Sequence, residues 1–152
     1  MTNIKYKDLS KEEKTLLSFA EKALVNAYNP YNNQTRVGAA VRTKKGDIIV
    51  GANMANASST VNLCAERAAL AAANALGHRD IVAIAIIGTD CDGIIEKPIM
   101  PCGTCRQFME EYLSVEEKDI EIICSNSLKD AIVRTSLKKL LPMPYSGSGI
   151  SI

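Results

Sequence analysis

The stretch that most restricts the fold is IVAIAIIG, residues 81–88, in which isoleucine and valine dominate and no residue is polar. Its length is that of a strand, and it is far too short to span a membrane. A strand without polar alternation has no face left for water, so other layers must cover both of its sides. The chain is therefore expected to form a sheet with helices packed on each face.

Three flanking segments have the patterns of helices. Ser10 followed by Glu13 predicts a capping box that opens a helix through about residue 26. An alanine-rich helix is expected over about 64–77, where it ends at a glycine, and a third helix over about 102–113 after a proline. In the first of them, Leu16, Leu17, Ala20 and Leu24 share one apolar face.

Further strands complete the prediction. Residues 37–54 have the pattern of two strands joined by a turn, 120–126 that of another strand, and 131–142 that of a short helix or irregular segment. Alternating strands and helices predict a three-layer α/β/α sandwich with a mixed sheet. A length of 152 residues is that of one domain, expected to cover 1–152.

Composition excludes several classes of partner. The formal net charge is +1 without a basic block, so no polynucleotide partner is expected, and no apolar run is long enough for a membrane segment. The charged N-terminus MTNIKYKDLSKEEK does not have the pattern of a secretory signal, so a reducing, cytoplasmic location is expected. In that setting, clustered cysteines are metal ligands or catalytic groups more often than disulfides.

Three cysteines have the arrangement of a catalytic zinc site. Cys102 and Cys105 form a C-x-x-C pair that follows Pro101, and in a first helical turn both thiols project to nearly the same side. Cys64 also stands at a predicted helix start. Two helix N-termini favour thiolates, and three sulfur ligands leave the fourth position of Zn²⁺ open for chemistry.

Glu66 is expected to serve this site as a proton carrier and not as a ligand. It lies two positions, about 200° of helical turn, from Cys64, so the two side chains converge only beyond the helix end. Three thiolates also make Zn²⁺ electron-rich. Arg67 and Arg106 are candidates to donate hydrogen bonds to the sulfurs, and the alternative for each is an ordinary surface charge.

Other interpretations of the cysteines remain. A lone C-x-x-C also fits a redox dithiol or half of a structural zinc knuckle, although neither needs a distant Cys-Ala-Glu. His78, the single histidine, lies at the far end of the helix that begins near Cys64, so it is not expected as a fourth ligand. Cys124 is expected to be a small buried apolar residue, and no role is assigned to Cys91.

These motifs resemble the cytidine deaminase family of zinc-dependent aminohydrolases over nearly the whole chain. The resemblance implies Cys64, Cys102 and Cys105 as zinc ligands and Glu66 as the general acid/base that converts cytidine or deoxycytidine to uridine or deoxyuridine and ammonia. It also implies a five-stranded mixed sheet, a role in pyrimidine salvage, and a homotetramer whose neighbouring subunits complete each active site. The segments that carry it are AYNPYNNQTRVGAAV, GANMANA, CAERAAL, PCGTCRQ and LLPMPYSG.

The same resemblance implies the substrate contacts, and two of them depart from the family pattern. The backbone around Ala65 is expected to meet the pyrimidine, and Asn53 matches the asparagine that binds ribose. Ala55 stands where the family has a glutamate that binds the sugar. Arg36 replaces part of an apolar loop and is either substrate-facing or a solvated charge, while Tyr145 is either an aromatic contact or a surface residue.

These departures leave the substrate open. The favoured function is deamination of a cytosine nucleoside. The first alternative is a related aminopyrimidine, a modified cytidine or a nucleoside of the blasticidin type. The second alternative is a structural zinc or binding protein without turnover, against which Glu66 argues. Polynucleotide editing is disfavoured because such a channel uses basic and stacking side chains.

Overall fold

The structure is a computed structural model that describes residues 2–31, 35–90, 93–116 and 118–145. Its strands are β1 (Thr2–Ile4), β2 (Arg36–Thr43), β3 (Ile48–Ala52), β4 (Ile81–Thr89), β5 (Glu121–Ser125) and β6 (Ile132–Ser136). Its helices are α1 (Lys11–Ala23), α2 (Ala65–Ala75), α3 (Gly103–Glu116) and α4 (Leu137–Leu140), with 3-10 turns at Tyr6–Asp8, Leu24–Asn26 and Ser59–Val61.

The sheet is mixed and has the order β1-β6-β5-β4-β2-β3. Strand β4, which contains the apolar run, lies inside it, parallel to β5 and antiparallel to β2. Ile84 and Ile86 face one core, and Ala83, Ala85 and Ile87 face another. A strand buried on both sides is what the apolar run predicts.

Helices cover both faces of this sheet. Leu16, Leu17 and Ala20 of α1 pack in the core that contains Ala85. On the opposite face, α2 and α3 contribute Leu70 and Met109 to the second core. The predicted three-layer α/β/α class is therefore confirmed.

Two details differ from the prediction. The described residues form six strands, and not five, because the short strand β1 joins the edge of the sheet beside β6. A three-residue strand that is mostly exposed has too little apolar alternation to be found in a sequence. Residues 131–142 contain β6 before the short α4, because Ile132 and Val133 are buried where β6 pairs with β5.

The first helix begins as its sequence predicts. The Ser10 backbone N–H donates to Glu13 Oε2 over 2.6 Å, and Glu13 N donates to Ser10 Oγ over 3.1 Å. Both oxygens of Glu13 also accept hydrogen bonds from the guanidinium of Arg134 in β6, at 2.6 and 2.7 Å. This carboxylate thus caps α1 and ties it to the sheet.

A missing side chain sets the position of α2 above β3. An added Cβ at Gly51 would lie 2.3 Å from Ala69 N and 2.5 Å from Ala65 O, both of which are backbone atoms of α2. Only glycine permits this approach. The start of α2 is thereby held close to the sheet.

Within the described ranges, no helix combines the length and the apolar character that crossing a membrane requires.

Candidate metal centre

Two helix starts bring the three predicted ligands together. Cys64 is the N-cap residue of α2, while Cys102 and Cys105 lie at the beginning of α3. The three Sγ atoms lie within 4.8 Å of one another, and those of Cys102 and Cys105 are 3.5 Å apart. Sulfurs bound to one tetrahedral Zn²⁺ are about 3.8 Å apart, given a Zn–S distance of about 2.3 Å. The donor set and its spacing therefore fit zinc.

The cluster has one open side. Cys105 is buried, Cys64 is half-buried and Cys102 is exposed, so the sulfurs are accessible from the direction of Cys102. Among the described residues, no histidine or carboxylate joins them as a fourth ligand. This arrangement has the ligand number of a catalytic zinc site.

The thiols already differ in their tendency to ionise. A hydrogen bond from Cys105, together with the neighbouring Arg67, outweighs burial and lowers the pKa of Cys64 to about 5. The same hydrogen bond, together with burial, raises the pKa of the Cys105 thiol. At neutral pH the cluster therefore holds a thiolate, the form that binds metal.

The two arginines next to the motifs have different positions. Arg67 Nη2 lies 4.0 Å from Cys64 Sγ and also donates to the carbonyl of Asn62. Arg106 instead donates from Nε to Pro101 O over 2.9 Å and from Nη1 to Leu140 O over 3.1 Å. Arg67 thus makes the expected contact with sulfur. Arg106 uses these donors on backbone carbonyls, where it supports the loop before Cys102.

Glu66 lies in the first turn of α2 and is only 4% exposed. Burial is the main cause that raises the pKa of its carboxyl group above the ordinary value, and the negative charge of Cys64 adds to it. A carboxyl group in this setting can hold a proton at higher pH than one in water. The position and the raised pKa suit a proton carrier.

A cavity of about 220 Å³ opens beside the sulfurs. It includes the predicted residues Asn53, Ala55, Ala65 and Glu66, and Cys64 lies on its wall. The wall also contains residues that the sequence interpretation did not assign to the site: Thr35, Val37, Asn62, Ile99 and Met100. Asn62 and Met100 lie close in sequence to Cys64 and Cys102, which is the signal that could have identified them.

The side chain of Asn53 ties together the backbone of the segment at Thr35 and Val37, which also lines this cavity. Its Oδ1 accepts a hydrogen bond from Val37 N over 2.8 Å, and its Nδ2 donates to Thr35 O over 3.1 Å. These two bonds use one acceptor site and one donor hydrogen of the amide. Within the described residues, no partner is recorded for the second lone pair and the second N–H of this amide.

Two residues that are candidates for substrate contact, Arg36 and Tyr145, do not line this cavity. Arg36 is exposed, and since side chains alternate along a strand, it points away from the face to which its neighbours Thr35 and Val37 belong. Tyr145 is 79% exposed and does not line the cavity. Its backbone N and O instead bond to the side-chain amide of Gln107, at 3.1 and 2.8 Å.

Among the described residues, Cys124 is the one cysteine outside the cluster. Cys124 lies fully buried in β5, and burial raises the pKa of its thiol to about 12. It is the inert apolar residue that the sequence predicts. Cys91 lies outside the described residues.

Comparison with known proteins points to one family. The family model of the cytidine and deoxycytidylate deaminase zinc-binding region matches residues 10–117. A cytidine deaminase from Halalkalibacterium halodurans is 35% identical over 140 residues, which are 92% of this chain and 98% of that protein. The matched region includes all three clustered cysteines and Glu66.

Solved structures agree, and a second activity occurs among the relatives. The crystal structure of cytidine deaminase from Burkholderia pseudomallei superposes with a TM-score of 0.76 at 36% identity, covering 90% of this chain and all of that chain. A blasticidin-S deaminase from Bacillus cereus is 27% identical over 142 residues, which are 91% of this chain and 96% of that protein. The cytidine deaminases are thus the more similar group.

Proposed function

This chain belongs to the cytidine and deoxycytidylate deaminase family of zinc-dependent aminohydrolases, and we propose that it binds a cytosine nucleoside in the cavity beside Cys64. There it removes the amino group of the base by hydrolysis. The observation that carries the proposal is the joint position of the three sulfurs and a buried carboxyl group, Glu66, on one cavity. A structural zinc protein has no need of an acid with a raised pKa beside an open ligand position.

The chemistry is divided between the metal and the protein. Cys64, Cys102 and Cys105 would hold Zn²⁺, which would supply Lewis-acid activation of the attacking water. Glu66 takes one proton from this water and passes it to N3 of the ring while the oxygen attacks C4. It then carries the second proton to the amino group, which leaves as ammonia, and C4 becomes a carbonyl. A pKa raised by burial allows the same carboxyl group to accept and release protons in one cycle.

The other residues of the site orient these groups. The Arg67 guanidinium lies beside Cys64 Sγ, where it would draw charge from the sulfur and so preserve the acidity of a bound Zn²⁺. The backbone at Ala65 meets the edge of the pyrimidine, and Asn53 binds the sugar with the N–H and lone pair that its two backbone bonds leave over.

An ammonia-release assay over five compounds tests the function. Cytidine and deoxycytidine are expected to react best, and free cytosine at least about tenfold more slowly, since it lacks the sugar hydrogen bonds. Isocytosine and blasticidin S complete the panel. Release from blasticidin S alone would assign the pocket to the antibiotic, and release from isocytosine or cytosine alone would contradict a nucleoside substrate. No release by zinc-loaded protein would favour the structural zinc alternative.

We further propose that the protein assembles into a homo-oligomer, with four copies as the expected number. Strand β3 is an edge strand, and Tyr28, Val50 and Met54 beside it are 60%, 39% and 45% exposed. They line a shallow groove next to the cavity. An edge strand with exposed apolar side chains beside it is a surface that a second copy can cover.

Light scattering coupled to gel filtration measures the assembly. One chain has a mass of 16.4 kDa, and a mass close to four times that of the chain is expected. Met54→Lys should shift the protein towards smaller species, whereas Lys11→Ala, at the exposed start of α1, should not. A wild-type protein that elutes as a monomer at micromolar concentration would contradict the proposal.

A cytoplasmic role in pyrimidine salvage agrees with this chemistry, because a thiolate site works only where its cysteines stay reduced. The four described cysteines are all free thiols.

A further inference from the structure

A short antiparallel bridge joins the segment of Ala55 to the segment of Asn62. Met54 and Leu63 exchange both backbone hydrogen bonds, at 2.9 and 3.0 Å. The next residues outward, Ala55 and Asn62, flank this bridge, one on each segment. Both line the cavity beside the sulfurs.

The side chain of Asn62 extends into the space beside the small Ala55. Asn62 Oδ1 accepts a hydrogen bond from the backbone N–H of Asn56 over 2.7 Å, so the amide reaches past residue 55. Its backbone is fixed as well, since its carbonyl accepts a bond from Arg67, the residue that also contacts Cys64. Asn62 is thus held from two sides.

These bonds also determine which end of the amide is left for a ligand. A backbone N–H can only donate, so the amide oxygen must face Asn56 and the NH₂ group must face elsewhere. Among the described residues, no hydrogen-bond partner accounts for Asn62 Nδ2. This part of the cavity wall therefore offers a hydrogen-bond donor, while Ala55 offers no polar side-chain atom.

A donor and a carboxylate select different ligands. A carboxylate at position 55 would accept a hydrogen bond from a sugar hydroxyl. A methylated sugar oxygen has no hydrogen to donate, so the carboxylate would then lack a partner. An amide N–H binds the oxygen itself, with or without its hydrogen. The side chain of Ala55 ends at Cβ, so residue 55 presents no longer side chain that the added methyl would meet.

We propose that Asn62 determines specificity by donating from Nδ2 to a sugar oxygen of the substrate, so that the enzyme accepts cytosine nucleosides methylated on a ribose oxygen. The inference rests on the proposed deaminase function and deepens it, since it names the class of nucleoside that the pocket tolerates.

Comparing cytidine with its ribose O-methyl ethers tests this assignment. The value of kcat/KM is measured for cytidine, 2′-O-methylcytidine and 3′-O-methylcytidine with the wild type, and at least one methyl ether is expected within about fivefold of cytidine. Asn62→Ala should lower kcat/KM about tenfold for cytidine and for that ether alike, mainly through KM, as expected for the loss of one hydrogen bond.

The Asn62→Asp variant distinguishes a role of residue 62 in substrate recognition from a role in the local fold. A carboxylate still accepts the bond from Asn56, so the local fold is kept, but the donor is gone. This variant should lower the ratio of kcat/KM for the ether to kcat/KM for cytidine by about a hundredfold. The reason is that the ether has no hydrogen to donate, so it leaves the charged carboxylate without a hydrogen bond. Ala55→Glu, the matched change on the other segment, should lower the same ratio. Zinc content and melting temperature are measured for each variant.

Three outcomes would overturn the assignment. Both methyl ethers reacting more than about a hundredfold more slowly than cytidine in the wild type would show that no donor of this kind operates. An unchanged ratio in Asn62→Asp, with zinc and melting temperature retained, would remove the role of Asn62 while leaving the deaminase function intact. No ammonia from any nucleoside with zinc-loaded wild type would instead refute the proposed function, and this inference with it.

Discussion

Replacing Glu66 by glutamine is expected to lower turnover of cytidine by about three orders of magnitude or more, the share of the rate that a positioned acid/base supplies, while zinc stays bound. Glutamine has nearly the same shape as glutamate but can neither accept nor carry a proton. Glu66 is buried beside the sulfurs and is not part of their ligand group, so its exchange leaves the donor set unchanged. Ammonia release and zinc per chain are measured on the same preparation.

A glutamate at an equivalent helix position serves as the control. Glu12 lies in the first turn of α1, where it is exposed and does not line the cavity. Glu12→Gln should leave both turnover and zinc content as in the wild type. If Glu66→Gln retained turnover within about tenfold of the wild type, proton transfer would have to be assigned to another group.

Removal of one sulfur is expected to abolish metal binding and turnover together. In Cys105→Ala two of the three donors remain, and a two-thiolate site does not hold zinc as a three-thiolate site does. Zinc is measured after dialysis of wild type and variant side by side, with about one ion per chain expected only for the wild type. Turnover should fall in proportion to the zinc that is lost.

The second fully buried cysteine provides a matched control for this experiment. Cys105 and Cys124 are both 0% exposed, yet only Cys105 belongs to the sulfur cluster. Cys124→Ala should keep zinc and turnover, and its small cavity should lower the free energy of unfolding by about 1 kcal/mol. Full zinc and full turnover in Cys105→Ala would show that the cluster is not the metal site.

The features that sequence predicted correctly depend on local spacing. An unbroken apolar run at 81–88 requires cover on both faces, and β4 has it. Ser10 and Glu13 are three residues apart, so their capping box follows from helix geometry alone. A C-x-x-C pair at a helix start likewise fixes two of the three sulfurs, and the Cys-Ala-Glu motif identifies the third.

The features that sequence did not predict depend on pairing between segments. Strand β1 exists because β6 offers an open edge, and its own residues carry no apolar pattern. Arg106 stands beside Cys105 in sequence, but its described hydrogen bonds go to the carbonyls of Pro101 and Leu140. The importance of Asn62 depends on the bridge that joins its segment to the segment of Ala55, and spacing along the sequence does not reveal this bridge.

The close approach at Gly51 has a consequence for how this chain can diverge. Any side chain there would meet the backbone of the helix that carries Cys64 at its start, and would lift one sulfur away from the other two. Residues 55 and 62 line the cavity, and the side-chain amide of Asn62 bonds to Asn56, which is not part of that helix. Adaptation to a new nucleoside can therefore proceed at the rim of the cavity, while position 51, which touches no substrate, stays glycine.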